Sequence, residues 1–226
     1  MLASRLPSKM LGRFELLSPV AAEKMSGWWL GRQLGGKEGG RLVAIKTVGR
    51  PKSRQAGDCA LSSEARLTEL IDHPNVARLL DFCPETRQPY LVKEWADGKT
   101  LRFLSQAAAG RGGVPLSIAL ALVEQVLLGL HAVHRVGDQL GACHQARCCV
   151  TPDNVFVTSE GVVKLIDLGG DGATSETSLE GDTGRIASSV SYVSPEQISG
   201  GPVDRRSDVF SVGVLLYLLS TGKHPF

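Results

Sequence analysis

A lysine closes the short apolar run Val43-Ala44-Ile45-Lys46, and a carboxylate, Glu64, follows 18 residues later, nine before His73-Pro74-Asn75. Taken alone, the lysine reads as the solvated end of a half-buried strand and the two together as a plain surface ion pair. Further on, Pro152-Asp153-Asn154 and, thirteen residues after the asparagine, Asp167-Leu168-Gly169 add oxygen-bearing side chains. Cys143, His144, Cys148 and Cys149 put four soft-ligand side chains within seven residues, the material for metal or redox chemistry. Adjacent cysteines in one loop make awkward tetrahedral ligands, however, and a buried free thiol is common, so no metal site is expected there.

Holding such residues in place takes a core, and the chain has material for one. It has 226 residues, 42% hydrophobic and 21% charged, which excludes a disordered chain. Its formal net charge of +2 is too weak a field to call for nucleic acid or an anionic lipid surface as partner. Five cysteines, odd in number and without C-x2-C pairs, indicate neither a disulfide framework nor a zinc ribbon, and a reducing, cytoplasmic setting fits them. Residues 1–13 lack the apolar centre of a signal peptide, and the longest nearly apolar run, Val209 to Leu219, is about half of what a bilayer requires, so no membrane segment is expected.

Short apolar or β-branched runs at Phe14–Val20, Trp28–Arg32, Leu42–Val48, Ala77–Phe82 and Tyr90–Val92 predict a small, mostly antiparallel sheet, with residues 35–40 as a hairpin tip. Leu61 to Asp72, with small or apolar residues at 61, 65, 67 and 71, predicts one helix between the third and fourth strands. After Gly98 the pattern turns helical. Leu116 to Val133 is amphipathic, and Ser207 to Leu219, apolar all round, predicts a buried core helix. Residues 105–115 and 170–191 read as loops. No period of 20 to 50 residues recurs, so the outline is a β-rich first part and a helical second part.

In order and spacing, Val43-Ala44-Ile45-Lys46, Glu64, Asp153-Asn154, Asp167-Leu168-Gly169, Ser194-Pro195-Glu196 and Asp208-Val209-Phe210-Ser211-Val212-Gly213 resemble the protein kinase family, and the wording of the last segments is most similar to bacterial Ser/Thr kinases. The resemblance covers about Phe14 to Phe226 and implies an α+β, two-lobed kinase-like fold: a tail at 1–13, an N-terminal lobe to about 93, a hinge at 94–98 and a C-terminal lobe from about 99. It implies ATP held between the lobes, with Lys46 on the α- and β-phosphates, Glu64 orienting that lysine, and Asn154 and Asp167 holding Mg2+. Glu94 to Ala96 would offer backbone groups to adenine, and Ala44 would line its pocket. Asp208 would accept backbone N–H bonds from the catalytic loop.

Several positions depart from the family pattern. The catalytic loop H-R-D-x-x-x-x-N has its Asp five residues before the Asn, where this chain has Cys149 in the triplet Arg147-Cys148-Cys149. A thiol is mostly protonated near neutral pH and is a poor acceptor for a substrate hydroxyl. Thr151 stands in place of the lysine that reaches the transferring phosphate, and Cys148 in place of the arginine that pairs with a phosphorylated activation loop. Against G-x-G-x-x-G-x-V the chain has Ala21, Glu23, Ser26 and Trp28, so all three glycines are lost. Glu23 would bring negative charge beside phosphate, and Trp28 would have the bulk to fill the adenine pocket. Lys93, just before the hinge, is expected to snorkel with its ammonium in water.

Family members continue past the helix at 207–219, so the resemblance also implies a truncated domain with apolar surface left open. The favoured reading is a pseudokinase of Ser/Thr type that keeps the means to hold Mg-ATP, transfers phosphate poorly and acts through an unidentified protein partner. Against it stand an active Ser/Thr kinase, moving the γ-phosphate of ATP to protein hydroxyls, and a remnant without a stable fold.

Overall fold

The computed structural model describes residues 9–20, 27–47, 54–84, 88–141, 150–168 and 191–226, with side chains in the first helix described from Leu61 onward. The chain is a mixed α+β protein dividing into two compact units, Met1–Leu61 with Leu79–Trp95, and Ser62–Arg78 with Ala96–Phe226.

The first unit holds a six-stranded antiparallel sheet in the order β1-β2-β3-β4-β6-β5. Its strands are β1 (Lys9–Leu11), β2 (Phe14–Pro19), β3 (Trp28–Gln33), β4 (Leu42–Thr47), β5 (Leu79–Cys83) and β6 (Tyr90–Glu94). The segment read as a tail therefore contains a strand, since Lys9–Leu11 pairs with Leu16–Phe14. Period-two alternation sorts the side chains onto two faces. Phe14, Leu16, Val43, Ile45, Tyr90 and Val92 pack together as one core, and Trp28, Ala44, Lys46, Leu91 and Lys93 fall on the opposite face by register. The expected hairpin tip joins β3 to β4, with Gly35 and Gly36 at φ of 74° and 72°, where a side chain is strained.

Helix α1 (Arg54–Glu69) begins earlier and ends sooner than the apolar spacing predicts. Leu61, Ala65, Leu67 and Ile71 are all buried, the last from the loop that follows the helix. The second unit also holds a three-stranded antiparallel sheet, β7 (Gly98–Thr100), β8 (Val155–Thr158) and β9 (Val163–Leu165), within a region expected to be mainly helical. Helix α2 (Leu101–Ala109) takes up the start of the expected 105–115 loop, capped by the Thr100 hydroxyl, which accepts the Phe103 N–H. The alanines at 107–109 favour a helix that the following glycines, at 110, 112 and 113, end.

Helix α3 (Leu116–Leu140) extends seven residues beyond the expected end. By length and composition it is apolar enough to cross a bilayer, unlike the shorter run Val209–Leu219. Here its face of Ala119, Val126, Leu130 and Val133 packs with Val155, Val163, Leu215 and Leu219 into the second core. After the short helix α4 (Pro195–Ile198) comes α5 (Arg205–Thr221), N-capped by Asp204. It is not buried all round: Val212, Leu215 and Leu219 face the core, while Val209 and Tyr217 are exposed.

Candidate functional site

In the first unit the site residues lie where β3, β4 and β6 run side by side. Trp28 is directly opposite Lys46, Leu30 opposite Ala44, and Ala44 opposite Lys93. Gly27 lets the chain enter β3: its φ is 92°, a Cβ would lie 2.3 Å from the Thr47 carbonyl oxygen, and its own carbonyl accepts both the N–H and the hydroxyl of Thr47. The Lys46 ammonium lies 5.6 Å from the centroid of the Trp28 ring and that of Lys93 lies 5.8 Å from it. Lys93 is 0% exposed, which overturns the expectation of a wet head. The indole's electron-rich face gives this ammonium a partner inside the protein, so it need not reach solvent. Glu94, partly buried, ends β6 opposite Val43.

In the second unit, β8 and β9 form a hairpin with Val155 opposite Leu165. Asn154 immediately precedes β8 and Asp167 closely follows β9, so antiparallel pairing brings both to one end of the hairpin, where the Ile166 N–H donates to the Asn154 carbonyl at 3.0 Å. A carboxamide and a carboxylate there are hard oxygen donors, the kind Mg2+ takes. Glu64 is buried on α1, and its carboxylate accepts the N–H of Leu168, next to Asp167, at 3.4 Å. Thr151 is buried and its carbonyl accepts the Asn154 N–H. Its neutral hydroxyl supplies no positive charge. Ala96 of the expected hinge is also buried and belongs to this unit.

Ala21, Glu23, Ser26 and Cys149, and with them the Cys143–Cys149 cluster, lie outside the described residues. Among those described, no three His, Cys, Asp or Glu side chains gather as a metal site.

The buried Asp208 carboxylate is met by His134 Nε2 at 2.7 Å, a partner on α3 that the sequence reading did not name. It also missed Arg102, whose guanidinium meets both carboxylate oxygens of Asp153, at 2.5 and 2.6 Å. Spacing carried no signal for either pair, because their members lie 74 and 51 residues apart in sequence. Glu196 accepts the Ser207 hydroxyl, and that bond, with a second from its own backbone, holds its carboxyl below the usual range.

Residues 32–226 match the family model for the protein kinase domain. The chain is 38% identical to the serine/threonine-protein kinase PknL of Mycobacterium tuberculosis over 190 residues, 82% of this chain and 44% of that protein. It is 33% identical to the serine/threonine-protein kinase pkn2 of Myxococcus xanthus over 225 residues, 95% of this chain and 25% of that one. A third relative, the serine/threonine-protein kinase PksC of Streptomyces coelicolor, is 34% identical over 193 residues, 82% of this chain and 34% of PksC. The chain thus spans less than half the length of these relatives. It belongs to the protein kinase family, and to the serine/threonine branch that these relatives represent.

Proposed function

We propose that this chain is a pseudokinase of Ser/Thr type, a kinase domain that keeps the groups for Mg-ATP, transfers phosphate poorly and works in a reducing, cytoplasmic setting by binding a protein partner. The observation that carries this reading is Cys149, five positions before Asn154, where the family has its aspartate. Mg-ATP, when bound, supplies the phosphoryl group and the charge neutralisation of the metal. In the family pattern that this reading carries over, Lys46 is the cation for the phosphates, Glu64 the carboxylate that orients it, and Asn154 and Asp167 the metal's oxygen donors. A thiol at position 149 cannot orient a substrate hydroxyl as a carboxylate does, and Thr151 leaves the transferring group without a second cation.

The test is phosphotransfer by Cys149→Asp beside the parent. A positioned general base is worth roughly 10²- to 10⁴-fold, so a rise of more than about tenfold is expected. A rise of twofold or less, in a variant that melts like the parent, overturns the loop assignment. It would leave the second reading, an active Ser/Thr kinase, which is supported by the retained Lys46, Glu64, Asn154 and Asp167 and by the similarity to PknL.

A further inference from the structure

Two lysines and a tryptophan share one face of the first unit's sheet, and only one of the lysines is accounted for by the family pattern. Trp28 on β3 and Lys93 on β6 both flank β4, and they approach each other across it. The side chain on β4 facing the gap between them is the smallest available, Ala44, which is 1% exposed. Trp28 itself is 2% exposed. The indole is thus buried on the face that carries Ala44, with the ammonium groups of Lys46 and Lys93 within 6 Å of its ring centroid. Burying a lysine with no compensating group would be costly, and the aromatic face offsets part of that cost. The attraction runs both ways: two cations hold one ring.

We propose that Trp28 is a built-in occupant of the base-binding face of this sheet, clipped by Lys46 and Lys93, and that an adenine nucleotide binds by displacing the indole. The proposal rests on the reading that β3, β4 and β6 present the nucleotide face. Among the partners of Lys46, the indole in the resting protein then competes with the phosphates of an arriving nucleotide. Lys93 has no part in holding phosphate in the family pattern, which makes it the residue through which the clip can be loosened without touching the phosphate-binding lysine. The lost glycines and Trp28 become parts of one change, a site that has exchanged easy entry of nucleotide for a resident side chain.

The experiment is calorimetric titration of the full chain with Mg-ATP, comparing the parent with Trp28→Val and Lys93→Met. Trp28→Val should bind at least about tenfold more tightly, the equivalent of two modest cation–π contacts and a displaced ring. Lys93→Met removes one cation, leaves the ring in place and should bind about two- to fivefold more tightly, which keeps the test open if Trp28→Val does not fold. In 5-fluorotryptophan-labelled parent, the Trp28 resonance, assigned by its loss in Trp28→Phe, should shift to a solvent-exposed position on addition of Mg-ATP. An indole that serves only as core filling would lower the melting temperature of Trp28→Val without raising its affinity, and that result overturns the proposal. Absence of Mg-ATP binding in both variants, or a parent that binds as tightly as they do, overturns it as well. Each is a binding measurement made without turnover, so a failure here leaves the Cys149→Asp result, and the phosphotransfer reading that depends on it, untouched.

Discussion

Arg102 shows how one side chain can organise a turn that carries functional residues. It sits in the first turn of α2, where its backbone N–H donates to the Pro152 carbonyl and its guanidinium grips Asp153 beside Asn154. Its positive charge also acts on the buried Tyr192, in the segment that leads into α4. The side chains are only 21% and 13% exposed, so water competes little for the pair. Arg102→Ala leaves Asp153 partly buried without its partner and should cost roughly 1.5–3 kcal/mol in urea unfolding. Arg102→Lys should recover less than half of that, because a point charge cannot reproduce the two-pronged contact. Full recovery by lysine would show that charge alone, without fork geometry, holds the turn.

At the scale of elements, the long helix α3 is fixed against β9 by close approach. Gly129 lies inside the helix, where glycine costs about 1 kcal/mol relative to alanine. A Cβ at this position would lie 2.9 Å from Leu165 Cδ1 and 3.0 Å from the Asn75 carbonyl oxygen. The side-chain amide of Asn75 in turn donates to Gln125 of α3 and to the Val163 carbonyl of β9, so helix, strand and the His73–Asn75 loop meet at one point. Gly129→Ala gains helix propensity but must push the strand or the loop aside, and overpacking of this kind costs about 1–3 kcal/mol. The variant should melt below the parent. An equal or higher melting temperature would show that the approach has slack.

Over the whole molecule, acid sensitivity should depend on His73. Burial, then the positive charge of Lys164 and the neighbouring His131, hold its pKa below the ordinary 6.5, and its Nδ1 accepts the Asn75 N–H at 3.2 Å. The unfolded chain therefore takes up this proton more readily than the folded one. The contribution is fully present above about pH 6.5 and is lost as pH falls through the lower folded value. Between about pH 7 and 5 the parent should lose more unfolding free energy than His73→Gln. Equal slopes would remove His73 as the source. The second unit also carries Leu116, Ile118, Leu120 and Leu128 exposed on α3.

The sequence by itself determined the family, through short motifs at fixed separations, and the order of strands and long helices, through β-branched runs and apolar periodicity. Both signals are local, which is why Lys46, Glu64, Asn154 and Asp167 could be named from spacing and resemblance. Ends of elements were harder to read. Helix α2 was hidden by nearby glycines, and β7, β8 and β9 are too short for alternation to stand out. Only the tertiary structure decided where charges found partners: His134 on Asp208, Arg102 on Asp153, and the buried Lys93 on Trp28. Pairings of that kind depend on which strand lies beside which and which helix crosses which loop. The cost of burying an ionic or polar group is settled there, by neighbours far away along the chain.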